Sequence, residues 1–333
     1  FWCWYCVGIV FFGVCWYLWV LDRFFECVLG WQGAICLPGN CPPTGCNLLA
    51  IQLTGFNLSG TLPDFVGEFP QLQTLKFGEN NLHGSLPQLT GYFPALVVFN
   101  VSYNYFGGTI PNVFNNTPLL QTLYLSSNQL VGTIPSSIFG LSELLYLNLH
   151  ENQLSDSLSA NFANLSNLTY FHAGKYLILG SIPPEIFQLV NISYLYLSYN
   201  EIHSQIPSIS APNMRIIRMS NNHLTGKLPS TLCTPLLEQI SIYSNYLSGS
   251  IPECLSGLPH LELLQVQNNL LNGPVQNVFN SSAQVNLTVV DISDNAITGT
   301  LPAELFELRR LVNLAAGKNC FHGRFPDSIC RAS

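Results

Sequence analysis

Residues 120–135 read LQTLYLSSNQLVGTIP, and this phrase recurs twelve times along the 333 residues. Most copies follow the one before at 24 residues, and the last five intervals include steps of 22, 23 and 26. A fixed period of this length predicts a solenoid, in which each short unit buries its apolar side against its neighbours. The twelve copies end at Pro63, Pro87, Pro111, Pro135, Ser159, Pro183, Pro207, Pro229, Pro252, Gln276, Pro302 and Pro326.

Each part of the repeat predicts a local structure. Leu123 and Leu125 alternate with polar residues, which indicates a half-buried strand. The amide of Asn128 can bond backbone groups at a tight inward turn. Glycine and proline then end the strand, and apolar residues at helical spacing predict a short helix or 3₁₀ turn on the outer face. Ten copies have the asparagine, and Phe56 and Tyr176 replace it in the others, where we expect irregularity: Asn80, Asn104, Asn128, Asn152, Asn200, Asn222, Asn245, Asn269, Asn295 and Asn319.

This pattern resembles the leucine-rich-repeat consensus, and its L-x-G-x-I-P ending resembles the plant-type class of receptor ectodomains and secreted inhibitors. The resemblance covers residues 48–330. It implies an α/β solenoid: a superhelix of about twelve coils with a parallel concave sheet and disulfide-closed caps. We expect an apolar N-terminal segment at 1–26, a cysteine-rich N-terminal cap at 27–47, repeats at 48–319 and a C-terminal cap at 320–333.

The eleven cysteines indicate disulfides and therefore an oxidising compartment, so we predict a secreted or cell-surface protein. The stretch GWQGAIC resembles the core of a plant-type N-terminal cap. Cys233 and Cys254 lie at nearly the same phase of neighbouring coils, where a bridge is geometrically reasonable. The pairing of Cys3, Cys6 and Cys15 stays open. The predicted bridges are Cys27–Cys36, Cys41–Cys46, Cys233–Cys254 and Cys320–Cys330.

Only 9% of the residues are charged, so the chain needs another source of solubility. Eight N-x-S/T sequons predict that N-linked glycans supply it. Most of these asparagines fall at exposed phases of the repeat, whereas Asn100 projects from the concave strand. We expect no cofactor besides these covalent glycans. The sequon asparagines are Asn57, Asn100, Asn115, Asn164, Asn167, Asn191, Asn280 and Asn286.

The first twenty residues, FWCWYCVGIVFFGVCWYLWV, contain no charge. Three interpretations stay open: a cap element packed on the first coil or on a neighbouring molecule, a helical membrane anchor, and a signal-like leader. Self-association through residues 1–26 follows from the first, and membrane attachment from the second. The net charge of −7 and the lack of a basic patch argue against nucleic-acid binding.

No catalytic or phosphate-binding motif occurs in the chain, so we predict that it is not an enzyme. His150 and His172 are interpreted as surface residues and not as metal ligands. The outward strand positions instead place Tyr146, Tyr170 and Tyr194 in one column, with Tyr199 beside it. Such tyrosines either form a binding patch or only stabilise the sheet. The predicted ligand-binding residues are Tyr124, Tyr146, Asn148, His150, Tyr170, His172, Tyr194, Tyr196 and Arg218.

Two functions follow from these features. The first is an extracellular recognition module whose concave face binds a protein, a peptide or a glycan. The alternative is a structural glycoprotein subunit of an extracellular fibre or wall, favoured by the low charge, the apolar N-terminus and the odd number of cysteines.

Overall fold

A computed structural model describes residues 8–11, 14–17, 34–36, 48–62, 70–89, 93–155, 157–175 and 177–331. The chain divides into two compact units, Phe1–Ser155 (unit 1) and Asp156–Ser333 (unit 2). Each unit is a leucine-rich-repeat solenoid, because each is built from the same short strand, asparagine turn and outer segment.

Each repeat contributes one strand to a parallel main sheet. In unit 1 an additional strand, Ala34–Cys36, runs antiparallel to the first repeat strand. The main-sheet strands of unit 1 are Leu48–Gln52, Thr74–Lys76, Val98–Asn100, Thr122–Tyr124 and Tyr146–Asn148. Those of unit 2 are Tyr170–His172, Tyr194–Tyr196, Ile216–Arg218, Gln239–Ser241, Leu263–Gln265, Val289–Asp291 and Asn313–Ala315.

Equivalent residues of successive repeats pair directly in the main sheet. Thr122 pairs with Tyr146 and Leu123 with Leu147. The leucines are fully buried, whereas the residues on either side of them point outward, as strand alternation requires. We call this outward side the strand face of each unit.

The predicted asparagine ladder is confirmed. Asn128 Nδ2 donates to the carbonyls of Val101, Leu125 and Ser126 at 3.1–3.2 Å, and its Oδ1 accepts the Phe106 N–H at 3.0 Å. All ten predicted asparagines accept one backbone N–H from the repeat before. The residue before each of them is left-handed, with φ of 50–61°. Each of these ten asparagines therefore joins its own repeat to the one before it.

A second sheet, which the sequence did not predict, follows the asparagine turn. Leu130 is buried between the exposed side chains of Gln129 and Val131, so this short stretch also has the alternation of a strand. Its strands in unit 1 are Ser59–Gly60, Asn81–Ser85, Tyr105–Thr109, Gln129–Gly132 and Gln153–Leu154. In unit 2 they are His203–Gln205, His223–Lys227, Tyr246–Gly249, Leu270–Gly273, Ala296–Gly299 and Cys320–Phe321.

Short helices complete most of the repeats, although the stretches 206–215 and 274–288 contain none, and all those in the described ranges are 3₁₀ helices. Pro135 precedes one of them in extended conformation, and Ile138 and Phe139 pack inward from it. Because each helix has only three to five residues, the predicted α/β solenoid has 3₁₀ turns in place of α-helices. They are Phe114–Asn116, Ser136–Gly140, Ala160–Asn164, Pro184–Gln188, Ser230–Leu232, Glu253–Gly257, Ala303–Glu307 and Asp327–Arg331.

The cysteines follow the prediction in part. Cys233 and Cys254 form a disulfide with a Cα–Cα distance of 5.9 Å, which confirms that bridge. The predicted bridge between Cys320 and Cys330 is wrong, because both thiols are free and exposed. These two residues lie on a second-sheet strand and on a 3₁₀ helix of the same repeat, so no stacking of neighbouring repeats brings them together. The bridges Cys27–Cys36 and Cys41–Cys46 involve side chains outside the described residues.

The described parts of the apolar N-terminal segment form a hairpin. Gly8–Phe11 pairs with Val14–Tyr17 in antiparallel register, with Ile9 opposite Trp16. Aromatic and β-branched residues, which dominate here, favour strands. Within the described residues no helix is long and apolar enough to span a bilayer. The role of residues 1–26 as cap element, anchor or leader stays a prediction.

Candidate functional site

The strand face of unit 2 brings five of the predicted site residues together. Tyr170 pairs with Tyr194, and His172 pairs with Tyr196 on the neighbouring strand. Arg218 is opposite Tyr196 on the strand after that. All five side chains project from alternate positions of three strands, so they point to the same side. We call Tyr170, His172, Tyr194, Tyr196 and Arg218 the tyrosine patch.

The rings of the patch contact one another. The ring centroid of Tyr170 is 6.2 Å from that of Tyr194 and 5.4 Å from that of Tyr196. The rings of His172 and Tyr196 are 5.0 Å apart. The hydroxyl of Tyr170 is 3.2 Å from Nδ1 of His172. Because the rings are half-buried and hold each other in place, the patch offers a preorganised aromatic surface with polar edges.

Arg218 supplies a positive charge at the edge of the patch. Its guanidinium carbon lies 5.5 Å from the ring centroid of Tyr196, within cation–π range. Its Nη2 donates to Oε1 of Gln239 at 2.6 Å. Burial raises the pKa of Tyr196, and the charge of Arg218 partly opposes this rise. The contacts that orient this exposed arginine are thus with neutral groups, whereas nearby Arg215 is paired with the carboxylate of Glu238.

Sequence reasoning missed Tyr243, which extends this surface together with Tyr199. The neighbouring Tyr243 phenol raises the pKa of Tyr199. Burial acts to raise the pKa of Tyr243, but the polar groups of Tyr199, Ser220 and Asn221 and the charge of Arg218 together lower it. Tyr243 lies two residues beyond its strand, Gln239–Ser241, at an outward position of the repeat that could have been recognised by its phase.

The other four predicted residues lie on the strand face of unit 1. Tyr146 pairs with Thr122 and Asn148 pairs with Tyr124 on the neighbouring strand. The Tyr146 side chain is 39% exposed. Burial, and secondarily the neighbouring Tyr146, raise the pKa of Tyr124. Asn148 Oδ1 accepts the backbone N–H of His150 at 3.1 Å. These residues form a smaller polar and aromatic surface of their own.

The side chains on the two strand faces can bind a ligand through non-covalent contacts. Phenols, imidazoles, amides and one guanidinium offer flat rings, donors and acceptors. Across the described ranges, no three His, Cys, Asp or Glu side chains group closely enough to hold a metal ion. The arrangement is therefore suited to holding a ligand by stacking and hydrogen bonding.

Comparison with known proteins agrees with this fold. Models of the leucine-rich repeat match residues 118–174 and residues 213–234, 236–258 and 286–308. The chain has the leucine-rich-repeat fold. Among its curated relatives, Receptor-like protein 18 of Arabidopsis thaliana is 33% identical over 127 residues, or 37% of this chain and 15% of the relative. Receptor-like protein 35 of the same plant is 36% identical over 124 residues, or 36% and 13%.

Solved structures resemble the leucine-rich-repeat chain over most of its length. A TDR receptor superimposes with a TM-score of 0.78 at 30% identity, covering 82% of this chain and 48% of that one. The plant peptide hormone receptor RGFR1, solved in complex with RGF2, gives a TM-score of 0.76 at 30% identity, covering 83% and 48%. The chain thus spans about half of these receptor structures, and its alignments cover less than a fifth of the curated relatives named above.

Proposed function

We propose that this protein is a secreted or cell-surface recognition module without enzymatic activity, which binds a protein or peptide ligand on the strand face. The observation that carries the proposal is the tyrosine patch, in which four contacting rings adjoin an arginine oriented by neutral groups. Tyrosine and arginine are the residue types that most often dominate binding energy at interfaces. The residues of unit 1 provide a second, smaller contact surface.

Relatives support a peptide or protein ligand over a glycan. The receptor RGFR1 was solved in complex with RGF2, and the Arabidopsis receptor kinase HAESA with the peptide hormone IDA and the co-receptor SERK1. An extended peptide crossing parallel strands meets outward side chains at regular spacing, and tyrosine rings held against one another bind such a chain at low entropic cost. A glycan ligand stays the alternative for the same surface.

Selection from a displayed library of random peptides tests the proposal. The full-length protein should enrich a set of peptides, and Tyr170→Ala combined with Tyr196→Ala should weaken their binding by at least about 30-fold, the effect of losing one strong interface anchor. Tyr246→Ala is the matched control, because Tyr246 is 53% exposed on the second sheet of unit 2 and outside the patch. Equal binding by the double variant, or no enrichment by the unaltered protein, would refute the proposal.

The second candidate is a structural subunit of an extracellular assembly. The exposed free thiols of Cys320 and Cys330 favour it, since exposed thiols can bridge copies in an oxidising compartment. In this case self-association would also involve residues 1–26. Electron microscopy and native mass measurement distinguish the two functions: a subunit forms polymers that shorten on reduction, whereas a recognition module stays a discrete particle.

A further inference from the structure

The sequon asparagines occupy distinct parts of the repeat. Six of them lie in what we call the outer segment, the stretch between the second-sheet position of one repeat, whether a strand or the isolated bridge at Leu179, and the next main-sheet strand. Asn57 lies in the turn before a second-sheet strand, and Asn100 ends the main-sheet strand Val98–Asn100. The outer-segment sequons are Asn115, Asn164, Asn167, Asn191, Asn280 and Asn286.

An N-linked glycan replaces one of the two hydrogens on Nδ2 of its asparagine. In the ladder no hydrogen is spare, since Asn128 Nδ2 donates to three carbonyls. No ladder asparagine is part of a sequon, because the position two residues after it is an apolar core residue. Asn191 differs, since its Nδ2 makes one bond, to the Ser166 carbonyl at 3.0 Å. That bond uses one hydrogen and leaves the other position for a sugar.

The outer segment also leaves its sequon side chains accessible. Asn115 lies within the 3₁₀ helix Phe114–Asn116 and Asn164 ends the helix Ala160–Asn164, and both are exposed. Asn191 and Asn280 are exposed too. Oδ1 of Asn280 accepts the Ser282 N–H at 3.0 Å, and this bond does not involve Nδ2. A glycan at any of these four asparagines can extend into solvent without displacing a neighbouring repeat.

Asn100 is placed differently. It is half-buried on the strand face of unit 1, between Lys76 and Tyr124 on the two neighbouring strands. Its Oδ1 accepts both the N–H and the hydroxyl of Ser102, at 2.9 and 2.7 Å. Because Asn280 also accepts the N–H of its own sequon residue, it is the half-buried position on the strand face, and not this bond, that separates Asn100 from Asn280. A glycan here would have to lie over Lys76 or Tyr124 and would cover part of the strand face.

We propose that N-linked glycans occupy Asn115, Asn164, Asn191 and Asn280, that Asn100 carries none, and that the strand faces are therefore left open. The sugar coat lies on the outer segments. This arrangement gives a chain with 9% charged residues its solubility while leaving the tyrosine patch accessible. The proposal concerns modification only, so it stands or fails independently of what the patch binds.

Glycopeptide mapping of the full-length protein, secreted from a eukaryotic host, tests the proposal. Enzymatic deglycosylation in heavy-oxygen water converts each occupied asparagine to a labelled aspartate. We expect label at Asn115, Asn164, Asn191 and Asn280 and none at Asn100. In intact mass, Asn191→Gln should remove one glycan, whereas Asn100→Gln should change only the side-chain mass.

Two matched controls isolate the sequon from its surroundings. Ser166→Ala keeps Asn164 but destroys its sequon, so the variant should lose the glycan at that asparagine alone. Asn213 donates to the Val190 carbonyl at 3.0 Å as Asn191 does to Ser166, but lacks a hydroxyl residue two positions on, so it should stay unlabelled. Label at Asn100, or absence of label at any two of the four outer asparagines, would overturn the proposal.

Discussion

Replacing one ladder asparagine by alanine should destabilise the protein far more than a surface substitution does. Asn128 is 9% exposed, and its side chain makes four hydrogen bonds. In Asn128→Ala the Phe106 N–H loses its acceptor within a buried turn, and the carbonyls of Val101, Leu125 and Ser126 lose a donor. No other side chain replaces these contacts at this phase of the repeat.

The size of the effect follows from these losses. A buried donor without an acceptor costs about 1–3 kcal/mol, and each ordinary hydrogen bond contributes about 0.5–1.5 kcal/mol. Because the three carbonyls compete for two hydrogens, we count two bonds for Nδ2. The free energy of unfolding should therefore fall by about 2–6 kcal/mol. The matched control is Asn161→Ala at an exposed helix position, which should cost less than about 0.5 kcal/mol.

Two measurements check the prediction. Urea denaturation followed by far-ultraviolet circular dichroism gives the change in stability, and hydrogen exchange reports on the Phe106 amide directly. In Asn128→Ala this amide should exchange much faster, while amides in distant repeats change little, since repeat stability depends on nearest neighbours. A loss below about 1 kcal/mol, with protection of Phe106 retained, would show that the ladder bonds do not stabilise the turn as argued.

Three further predictions test other features. Ser204 has φ of 79° at a position where most other repeats have glycine, so Ser204→Gly should raise stability by about 0.5–1 kcal/mol, the relief of left-handed strain less the added chain entropy; a lower melting temperature would contradict this. Tyr243→Phe should lower the pKa of Tyr199, because the Tyr243 phenol raises it; the same pKa for Tyr199 in both proteins on spectroscopic titration would contradict this. Replacing Cys233 and Cys254 by serine opens a link across 21 residues and should cost about 3 kcal/mol in denaturant unfolding; a variant as stable as the parent would refute the role of the bridge.

The sequence predicted those features that depend on one residue type at one phase of the repeat. Leu123 and Asn128 have positions that no other side chain fills equally well, because one must be apolar and the other must both donate and accept. The second sheet was not predicted, since its strands are short and contain the left-handed glycines that usually mark a turn.

At the candidate site, too, some contacts could be predicted from the sequence and others could not. Register places Tyr170 beside Tyr194 once the period is known, so their contact follows from the sequence. The electrostatic interaction between Tyr199 and Tyr243 connects repeats that are not adjacent in the main sheet, and it depends on how far each side chain reaches, which periodicity does not fix. The free thiol of Cys320 was missed for a related reason, because a disulfide requires a geometry that sequence order alone does not supply.

The offset of the ladder bonds has a consequence for how such a chain can change length. Phe106 bonds to Asn128 just as Leu82 bonds to Asn104 and Leu130 to Asn152, each across 22 residues. Removing one whole period from this region would therefore bring chemically equivalent partners together and leave no donor or acceptor stranded, whereas removing a fraction of a period would break the pattern at once. Insertion or deletion of whole repeats is thus compatible with the fold. Each such change alters the area of the strand face that a ligand can contact, while the hydrogen-bonding pattern stays the same.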